Sequence, residues 1–518
     1  GTLVDGSFPV AISELGALQA PLDAVAANTG VRHPHGVFDL VVDPLVITQA
    51  RDLADGYRTS DGTDVPATEA SAVQADRFLH QLDRVAGHAD TVETVALPYG
   101  DPVLPAMLNS DLGVELARQR EAGATIVASL PDAVLTDAIA RPEGGRLSDG
   151  ALNSLSGSGT TIVLADAATV DRSPYQGEGL APAPTVTMAS TQGSPTMVLP
   201  DPAIQALFDR TDLFSDPVRA AQIILGELAV IWKQQPAPSA PTVRGVAVAP
   251  PPTLPPALWA PLLRRLSNAP FLTPATASQL VERVNPPNPN GDDATLAAPD
   301  DNSRFDDAYT AEIEDASLSV EAYGSMLPVG NEIPTELRRR VFLATAPPYL
   351  LDPAAGQPWL GSVTSATQRA FDAVRPTVST AFTFTSREGT IPIQMLGDPG
   401  DTPLSVTLEL QATSFTFPRG SQQSILLVGP GQTGTPEPGQ IVVARGDVVE
   451  FPVVTEASGT NSIRVLVKAP NGRVLDDETI AVRSTAVNHI ALLVTLAAAL
   501  GLVALYSRRW VRRRRSTT

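Results

Sequence analysis

Residues 92–102 read VETVALPYGDP, a short apolar run followed by a turn that carries an aspartate. Similar runs recur along residues 1–284, and stretches with helical spacing lie between them. Most of the runs are almost continuously apolar, as strands buried on both faces of a parallel sheet are. The other runs are FPVAI (8–12), VFDLVV (37–42), ATIVASL (124–130), TTIVLA (160–165), TMVLP (196–200), VRGVAVA (243–249) and APFLT (269–273).

The rhythm of these runs predicts the fold class of the first domain. About eight alternations of strand and helix within about 280 residues are typical of a (β/α) barrel, complete or lacking its opening strand. An open, doubly wound sheet is the alternative. We therefore expect an α/β domain at residues 1–284 of the barrel type that glycoside hydrolases and polysaccharide deacetylases use.

Further changes of pattern divide the rest of the chain. Residues 285–305 are rich in Pro, Asn and Asp and predict a linker. Helical spacing over 306–382 predicts a helical connector. Apolar residues then alternate with polar ones over 383–485, and an Asn471-Gly472 turn joins two of these strands, so an immunoglobulin-like β-sandwich is expected there.

The end of the chain predicts a membrane anchor. Residues 489–506 read HIALLVTLAAALGLVALY, eighteen residues without a charge, and six arginines follow. By the positive-inside rule we expect one transmembrane helix at 486–507, a basic cytoplasmic tail at 508–518 and a large extracytoplasmic part. The chain opens without Met or a signal-peptide pattern, so an upstream segment is expected as well.

Charge and composition exclude several classes of function. The formal net charge is −20, from 56 acidic against 36 basic residues, so the chain repels nucleic-acid phosphates and no nucleic-acid partner is expected. It has no cysteine, which excludes disulfides, thiol nucleophiles and cysteine-held metals. No phosphate-binding or dinucleotide-binding motif occurs, so we expect no cofactor.

Carboxylates supply the candidate catalytic residues. In a (β/α) barrel the active site lies at the carboxyl ends of the strands, where Asp43, Asp101, Asp132 and Asp166 are predicted to fall. Two of them could act as the carboxyl pair of a glycosidase. Asp43 and Asp101, like Asp201, are each followed by proline, a pattern that also predicts a helix N-cap.

Histidines do not predict a metal site. His33 and His35 precede a strand, which in a barrel is the face opposite the active site, and their spacing matches no zinc motif. Polysaccharide deacetylases need two histidines four residues apart as well as an aspartate pair, and the sequence has no such histidine pair. We expect surface histidines and no bound metal.

The chain resembles a family of actinobacterial cell-envelope proteins. The resemblance covers nearly the whole chain and is strongest in LPYGDP (97–102), LGELAVIWKQQP (225–236), VAPPP (248–252) and AVRSTAVNHIALLVT (481–495). It implies secretion, a single C-terminal anchor, an upstream β-domain and a gene next to that of the lipid II flippase MurJ. No catalytic residues of this family are established to carry over, and Val103 stands where a second acid is expected.

Two functions follow from these observations. The first is a non-catalytic, membrane-anchored binding or scaffold protein of cell-wall biogenesis, with MurJ, another envelope protein or a glycan as partner. The second is a membrane-tethered glycan hydrolase that uses carboxylates on the rim of the barrel. The sequence leaves open whether the chain is an enzyme.

Overall fold

The computed structural model describes residues 2–3, 6–29, 36–59, 62–171, 183–234, 244–284, 294–377, 381–432, 434–456, 459–484 and 489–514. The chain forms two compact units. One unit contains residues 1–311 and 342–357, and the other contains residues 312–341 and 358–518. The domain limits expected from the sequence differ from this division and stay predictions.

The first unit alternates short strands with helices. Its strands are β1 (Thr2–Leu3), β2 (Phe38–Val42), β3 (Tyr57–Thr59), β4 (Asp64–Val65), β5 (Val92–Ala96), β6 (Ile139–Ala140), β7 (Ile162–Leu164), β8 (Val170–Asp171), β9 (Thr185–Thr187), β10 (Thr196–Val198) and β11 (Thr295–Leu296). Its helices begin with α1 (Ser7–Ala11), α2 (Gln19–Asn28), α3 (Pro44–Ala54), α4 (Ala70–Ala86), α5 (Leu104–Asn109), α6 (Gly113–Ala128), α7 (Asp149–Gly157), α8 (Pro202–Phe208), α9 (Pro217–Lys233), α10 (Pro256–Asn268) and α11 (Ala277–Arg283). The helices α12 (Asp307–Met326), α13 (Ile333–Leu343), α14 (Pro348–Leu351) and α15 (Pro353–Ala373) follow; α14 belongs to the first unit, whereas most of α12, α13 and α15 belongs to the second.

Parallel pairing links the strands of the first unit in chain order. β2 pairs with β5, β6 pairs with β7, and β7 pairs with β10, all in parallel. Single parallel bridges extend this order from Thr94 to Leu135 and from Pro200 to Ala247. The order β2, β5, β6, β7, β10 with helices between the strands fits the barrel part of the expected fold.

The two faces of these strands are both apolar. Leu40 and Val42 of β2 pack outward into a core formed with the helices α2, α3 and α4. Val41 of β2 and Val95 of β5 point to the other side, where they join an inner core. The remaining members of the inner core come from β6, β7, β10, α11 and the bridge residue Ala247: Ile139, Ile162, Leu164, Val198, Ala247, Ala277, Leu280 and Val281.

Three of the predicted strands are not strands, and in a fourth, VRGVAVA (243–249), the described residues 244–249 form only one β-bridge, at Ala247. Residues 8–12 lie mostly in α1, and residues 124–130 form the end of α6. In α6 the buried residues Leu116, Gly123 and Ile126 recur at helical spacing, so packing outweighs the β-branched composition of its last turn. Residues 269–273 form a turn and irregular backbone in place of the predicted strand.

The second unit holds a β-sandwich. Its strands are β12 (Pro376–Thr377), β13 (Ala381–Phe384), β14 (Glu388–Met395), β15 (Leu404–Gln411), β16 (Phe415–Thr416), β17 (Gln422–Val428), β18 (Ile441–Ala444), β19 (Val448–Thr455), β20 (Gly459–Lys468) and β21 (Val474–Ser484). The sheets have the orders β12-β14-β19-β16 and β13-β21-β20-β15-β17-β18, and their apolar faces share one core. The predicted turn at Gly472 (φ +93°) joins β20 to β21.

The expected transmembrane helix is wrong. The last helix, α16 (His489–Arg514), places Arg508 and Arg509 in the same helix as the apolar run. Across the ranges given above, no helix is both long enough and apolar enough to cross a bilayer. This finding overturns the membrane anchor at 486–507, and with it the cytoplasmic tail, the single-pass topology and the extracytoplasmic location expected from it.

Candidate functional site

Three of the four candidate carboxylates meet at the carboxyl ends of the barrel strands. Asp43 directly follows β2, Asp101 lies in the loop after β5, and Asp166 follows β7. The charges of Asp43, Glu143 and Arg141 act on Asp101, and the charge of Arg141 also acts on Asp166. We call Asp43, Asp101, Arg141, Glu143 and Asp166 the rim cluster.

Asp132 lies elsewhere. It follows the C-terminus of α6 and precedes β6, which places it at the amino end of the strands, opposite the rim cluster. Its backbone N–H donates to Asp83 Oδ1 at 2.8 Å. The sequence pattern misplaced Asp132 because it treated residues 124–130 as a strand, so that a residue after a helix was taken for a residue after a strand.

Asp43 and Asp201 cap helices, as their Asp-Pro pattern predicts. Asp43 Oδ1 accepts the backbone N–H of Leu45 at 2.8 Å at the start of α3. Asp201 Oδ1 accepts the N–H groups of Ala203 (2.9 Å) and Ile204 (3.2 Å) at the start of α8. Burial raises the pKa of Asp43, and the hydrogen bond from Leu45 partly opposes this rise.

Asp101 has the same Asp-Pro pattern but caps no helix. The helix after it, α5, begins at Leu104 with Val103 in the N-cap position. Asp101 has a positive φ of +42°, which is uncommon for a residue with a side chain. Its Oδ1 is buried and has no hydrogen-bond partner among the described residues.

The surroundings of Asp101 keep it protonated up to neutral pH. Burial raises the pKa of its carboxyl group to about 7. The positive charge of Arg141 opposes this rise, whereas the negative charges of Asp43 and Glu143 add to it. A carboxylic acid with a pKa near 7 can donate a proton at the pH at which most proteins work.

Buried contacts hold the loop that carries Asp101. The Tyr99 N–H donates to the carbonyl of Gln119 at 3.0 Å, which fixes the loop to α6. The Asp101 N–H donates to the carbonyl of Pro98 at 3.0 Å and closes a tight turn. Gly100 supplies the positive φ (+82°) that this kind of turn requires at its third residue. The position of Asp101 is therefore set by backbone contacts.

The sequence did not identify Arg141 and Glu143. Both follow β6, which has two residues and too weak a pattern to be recognised as a strand. Glu143 opens a 3-10 turn whose glycines, Gly144 (φ +54°) and Gly145 (φ +64°), are left-handed. A Cβ on Gly145 would lie 2.4 Å from the backbone nitrogen of Asp166. The Gly-Gly pair after a short apolar segment is the available signal, because it permits this close approach.

His80 is not part of the rim cluster. His33 and His35 lie outside the described residues. His80 is exposed on α4, where its Nδ1 lies 3.4 Å from Asp76 Oδ1. Within the described part of the chain, no group of three or more His, Asp and Glu side chains is arranged to hold a metal ion.

The fold and the rim cluster define a class: a β/α barrel with several carboxyl groups and one arginine at the carboxyl ends of its strands. No protein-family model and no curated protein matches the chain. Similar solved structures include the 4-alpha-glucanotransferase of Thermococcus litoralis, with 12% identity and a TM-score of 0.44 over 82% of this chain. The chain spans 63% of the length of that protein.

Two further structures are similar at the same level. The alpha-amylase AmyC of Thermotoga maritima has 11% identity and a TM-score of 0.43, over 70% of this chain and 86% of its own. A GH57 branching enzyme of Thermococcus kodakaraensis has 11% identity and a TM-score of 0.43, over 71% of this chain and 84% of its own. Likenesses this remote carry no argument about chemistry, which rests on the residues of the rim cluster.

Proposed function

We propose that the chain is a glycan hydrolase in which Asp101 is the general acid. The observation that carries the proposal is the state of Asp101: its Oδ1 is buried without a partner, and its pKa is about 7. A structural aspartate caps a helix or pairs with a cation, as Asp43 and Asp201 cap theirs. Asp101 caps no helix, and with a pKa of about 7 it still carries a proton in about half of the molecules at pH 7.

Glycoside hydrolysis needs a second carboxyl group, and Glu143 is the candidate. Its charge acts on Asp101, and no described residue forms a hydrogen bond with its side chain. Asp43 is less suitable because its Oδ1 holds the first turn of α3. In this account Asp101 protonates the glycosidic oxygen as the bond to the sugar breaks, while Glu143 either attacks the sugar carbon or removes a proton from the attacking water.

The non-catalytic alternative loses its main support. It rested on a membrane anchor, which the structure contradicts, and on rim aspartates that each cap a helix, from which Asp101 departs. The resemblance to the actinobacterial envelope family, the partnership with MurJ or another envelope protein, a glycan ligand and the exclusion of nucleic acid stay predictions.

The first experiment measures release of reducing sugar by the full chain from a panel of α- and β-linked glycans, including purified cell-wall polysaccharide. Asp101→Asn is expected to lower the rate about 10²- to 10⁴-fold, the usual contribution of a general acid. Asp201→Asn is the matched control, because it changes an Asp-Pro aspartate that caps a helix and should leave the rate within about threefold. A wild-type chain inactive on the whole panel contradicts the proposal.

A second experiment separates the two carboxyl groups. Dinitrophenyl glycosides have a leaving group that needs no protonation, so Asp101→Asn should keep a kcat/KM close to that of the wild type on them, because kcat/KM reports the step in which the leaving group departs. Glu143→Ala should lose activity on both kinds of substrate. If Glu143 is the nucleophile, added azide should restore the rate and yield a glycosyl azide. Equal losses on both substrates for Asp101→Asn would remove the acid role.

A further inference from the structure

A buried glutamine lies next to the loop that carries Asp101. Gln119 of α6 is 0% exposed, and its backbone carbonyl accepts the N–H of Tyr99 at 3.0 Å. One turn later along α6, Gly123 lies so close to the same loop that a Cβ would be 2.1 Å from the carbonyl oxygen of Leu97. Because residue 123 has no side chain, α6 can approach the loop and bring Gln119 into contact with it.

The side chain of Gln119 bonds to a distant part of the same unit. Its Nε2 donates to Thr345 Oγ1 at 2.7 Å, and both residues belong to the first unit. Thr345 is also fully buried, and its Oγ1 donates to the carbonyl of Phe342 at 2.7 Å. A hydroxyl group has one proton, so Thr345 forms both bonds only as an acceptor from Gln119 and a donor to Phe342. The amide of Gln119 therefore fixes the turn 342–345 to α6.

The turn 342–345 packs against the two residues that precede Asp101. The ring centroids of Tyr99 and Phe342 lie 6.1 Å apart, with the rings tilted by 52°. A Cβ on Gly100 would lie 3.1 Å from the carbonyl oxygen of Phe342, the same oxygen that accepts from Thr345. Tyr99 and Gly100 are therefore held both by α6 and by this turn.

Overall stability is a weak reason for a glutamine at position 119. Gln119 Oε1 is buried and has no hydrogen-bond partner among the described residues. A buried acceptor without a partner destabilises the folded state, which offsets the stabilisation from the bond to Thr345. A methionine of similar length would avoid this loss, but it could not bond to Thr345.

We propose that Gln119 is a positioning residue for Asp101. Through Thr345 and Phe342 it fixes the backbone at residues 99–100, and this backbone holds Asp101 at the rim in its positive-φ conformation. Gln119 acts through the loop and not on the reacting atoms. The inference rests on the proposed function, in which Asp101 is the general acid. A loosened loop would misplace the acid and slow only the step that needs its proton.

Gln119→Met tests the proposal, because it removes the amide but keeps the backbone carbonyl that accepts from Tyr99. On glycans with a sugar leaving group, we expect kcat/KM to fall about tenfold, as a slightly misplaced acid predicts. Dinitrophenyl glycosides need no proton from Asp101, so on these substrates kcat/KM should stay within about twofold of the wild type. A purely structural role would not produce this difference between substrates.

Gln19→Met is the matched control. Gln19 is also a buried glutamine whose Oε1 has no hydrogen-bond partner among the described residues. Its Nε2, however, donates to Asp23 and Gln81 and not to the turn at 342–345. We expect Gln19→Met to leave the ratio of kcat/KM between the two kinds of substrate unchanged.

Thr345 supplies a second test, which replaces the first if Gln119→Met does not fold. Thr345→Val removes the hydroxyl group at nearly constant shape and should reproduce the selective loss. Thr345→Ser keeps the hydroxyl group and should stay close to the wild type. Equal losses on both kinds of substrate, or no loss on either, in Gln119→Met or Thr345→Val would overturn the proposal.

The titration of Asp101 separates failure of this proposal from failure of the proposed function. A wild-type chain that hydrolyses no glycan contradicts the hydrolase function, but the positioning role can still be measured. A loosened loop admits water to the Asp101 carboxyl group, which lowers its pKa. Its ¹³C midpoint should therefore be lower in Gln119→Met than in the wild type and unchanged in Gln19→Met. Equal midpoints in the wild type and Gln119→Met would overturn the proposal whatever the activity.

Discussion

Asp43 and Asp101 follow neighbouring strands, each precedes a proline, and the charge of Asp43 raises the pKa of Asp101, yet Asp43 alone caps a helix. The two residues have one sequence pattern and two roles. The difference lies in where the next helix begins. α3 begins at Pro44, directly after Asp43, whereas α5 begins at Leu104, three residues after Asp101. Asp101 therefore caps no helix, and its Oδ1 is buried without a hydrogen-bond partner among the described residues.

Asp101→Asn should stabilise the chain at high pH. The native state holds a proton on Asp101 that the unfolded state has lost between about pH 4 and pH 7, so this residue makes the free energy of unfolding fall as pH rises through that window. The substitution changes the free energy of unfolding at each pH. We expect this change to be more stabilising at pH 8 than at pH 4, by up to about 4 kcal/mol. Denaturant unfolding at the two pH values measures this difference, and an equal effect at both would show that Asp101 has an ordinary pKa.

Arg141→Gln should raise the pKa of Asp101 further. The positive charge of the Arg141 guanidinium group lowers the pKa of Asp101. Its removal should shift the alkaline limb of the pH–activity profile upward. Arg146→Gln is the control on the same loop, since Arg146 pairs with Asp301 at 3.0 Å instead. A shift of the same size in both variants would mean that Arg141 does not act on Asp101 directly.

Gly145→Ala should damage the chain more than Gly144→Ala. Both glycines have a positive φ, so alanine costs about 1 kcal/mol at either position from backbone strain. At Gly145 the new Cβ would also lie 2.4 Å from the Asp166 backbone nitrogen, whereas at Gly144 the nearest atom is 3.8 Å away, on Arg146. Thermal unfolding should show the larger loss for Gly145→Ala, by about 1–3 kcal/mol. Equal losses would mean that the loop can move away from Asp166.

Lys468→Met should destabilise the second unit at neutral pH. Lys468 Nζ lies 2.6 Å from Glu409 Oε2 on a mostly buried part of the sandwich. Hydrogen bonds from Gln411 and Lys468 lower the pKa of Glu409. Removing the lysine leaves a carboxylate without its cation, at a cost of about 1–3 kcal/mol.

The pH dependence of that loss supplies its check. The stabilisation by ionised Glu409 is present above its ordinary pKa and is lost as pH falls through the lowered one, so wild type and Lys468→Met should converge in acid. The double variant Glu409→Gln/Lys468→Met should recover part of the stability at pH 7, because it removes the stranded charge. No recovery would indicate that the lysine stem, and not the charge, stabilises the sheet.

Periodicity predicted the long strands and misassigned the ambiguous ones. VFDLVV and VETVAL are apolar on both faces, and each becomes a barrel strand because helices cover one side and α11 the other. ATIVASL has the same composition but belongs to α6, where Gly123 allows the helix to lie against the carbonyl of Leu97. Tertiary packing of this kind cannot be deduced from a seven-residue window.

The candidate site was partly predictable. Asp43, Asp101 and Asp166 follow recognisable strands and were placed at the rim from the sequence. Arg141 and Glu143 were not, because the strand before them has two residues. The sequence also could not predict that Asp101 caps no helix. An Asp-Pro pair predicts an N-cap, and only the start of α5 at Leu104 shows that this cap does not form.

The titration of the Asp101 carboxyl group tests the central claim most directly. Carboxyl ¹³C resonances of the aspartate-labelled chain, with Asp101 assigned by comparison with Asp101→Asn, would give its midpoint between pH 3 and pH 9. We predict a midpoint near pH 7, where Asp101 can serve as an acid. A midpoint near pH 4, the ordinary value for an exposed aspartate, would contradict the account.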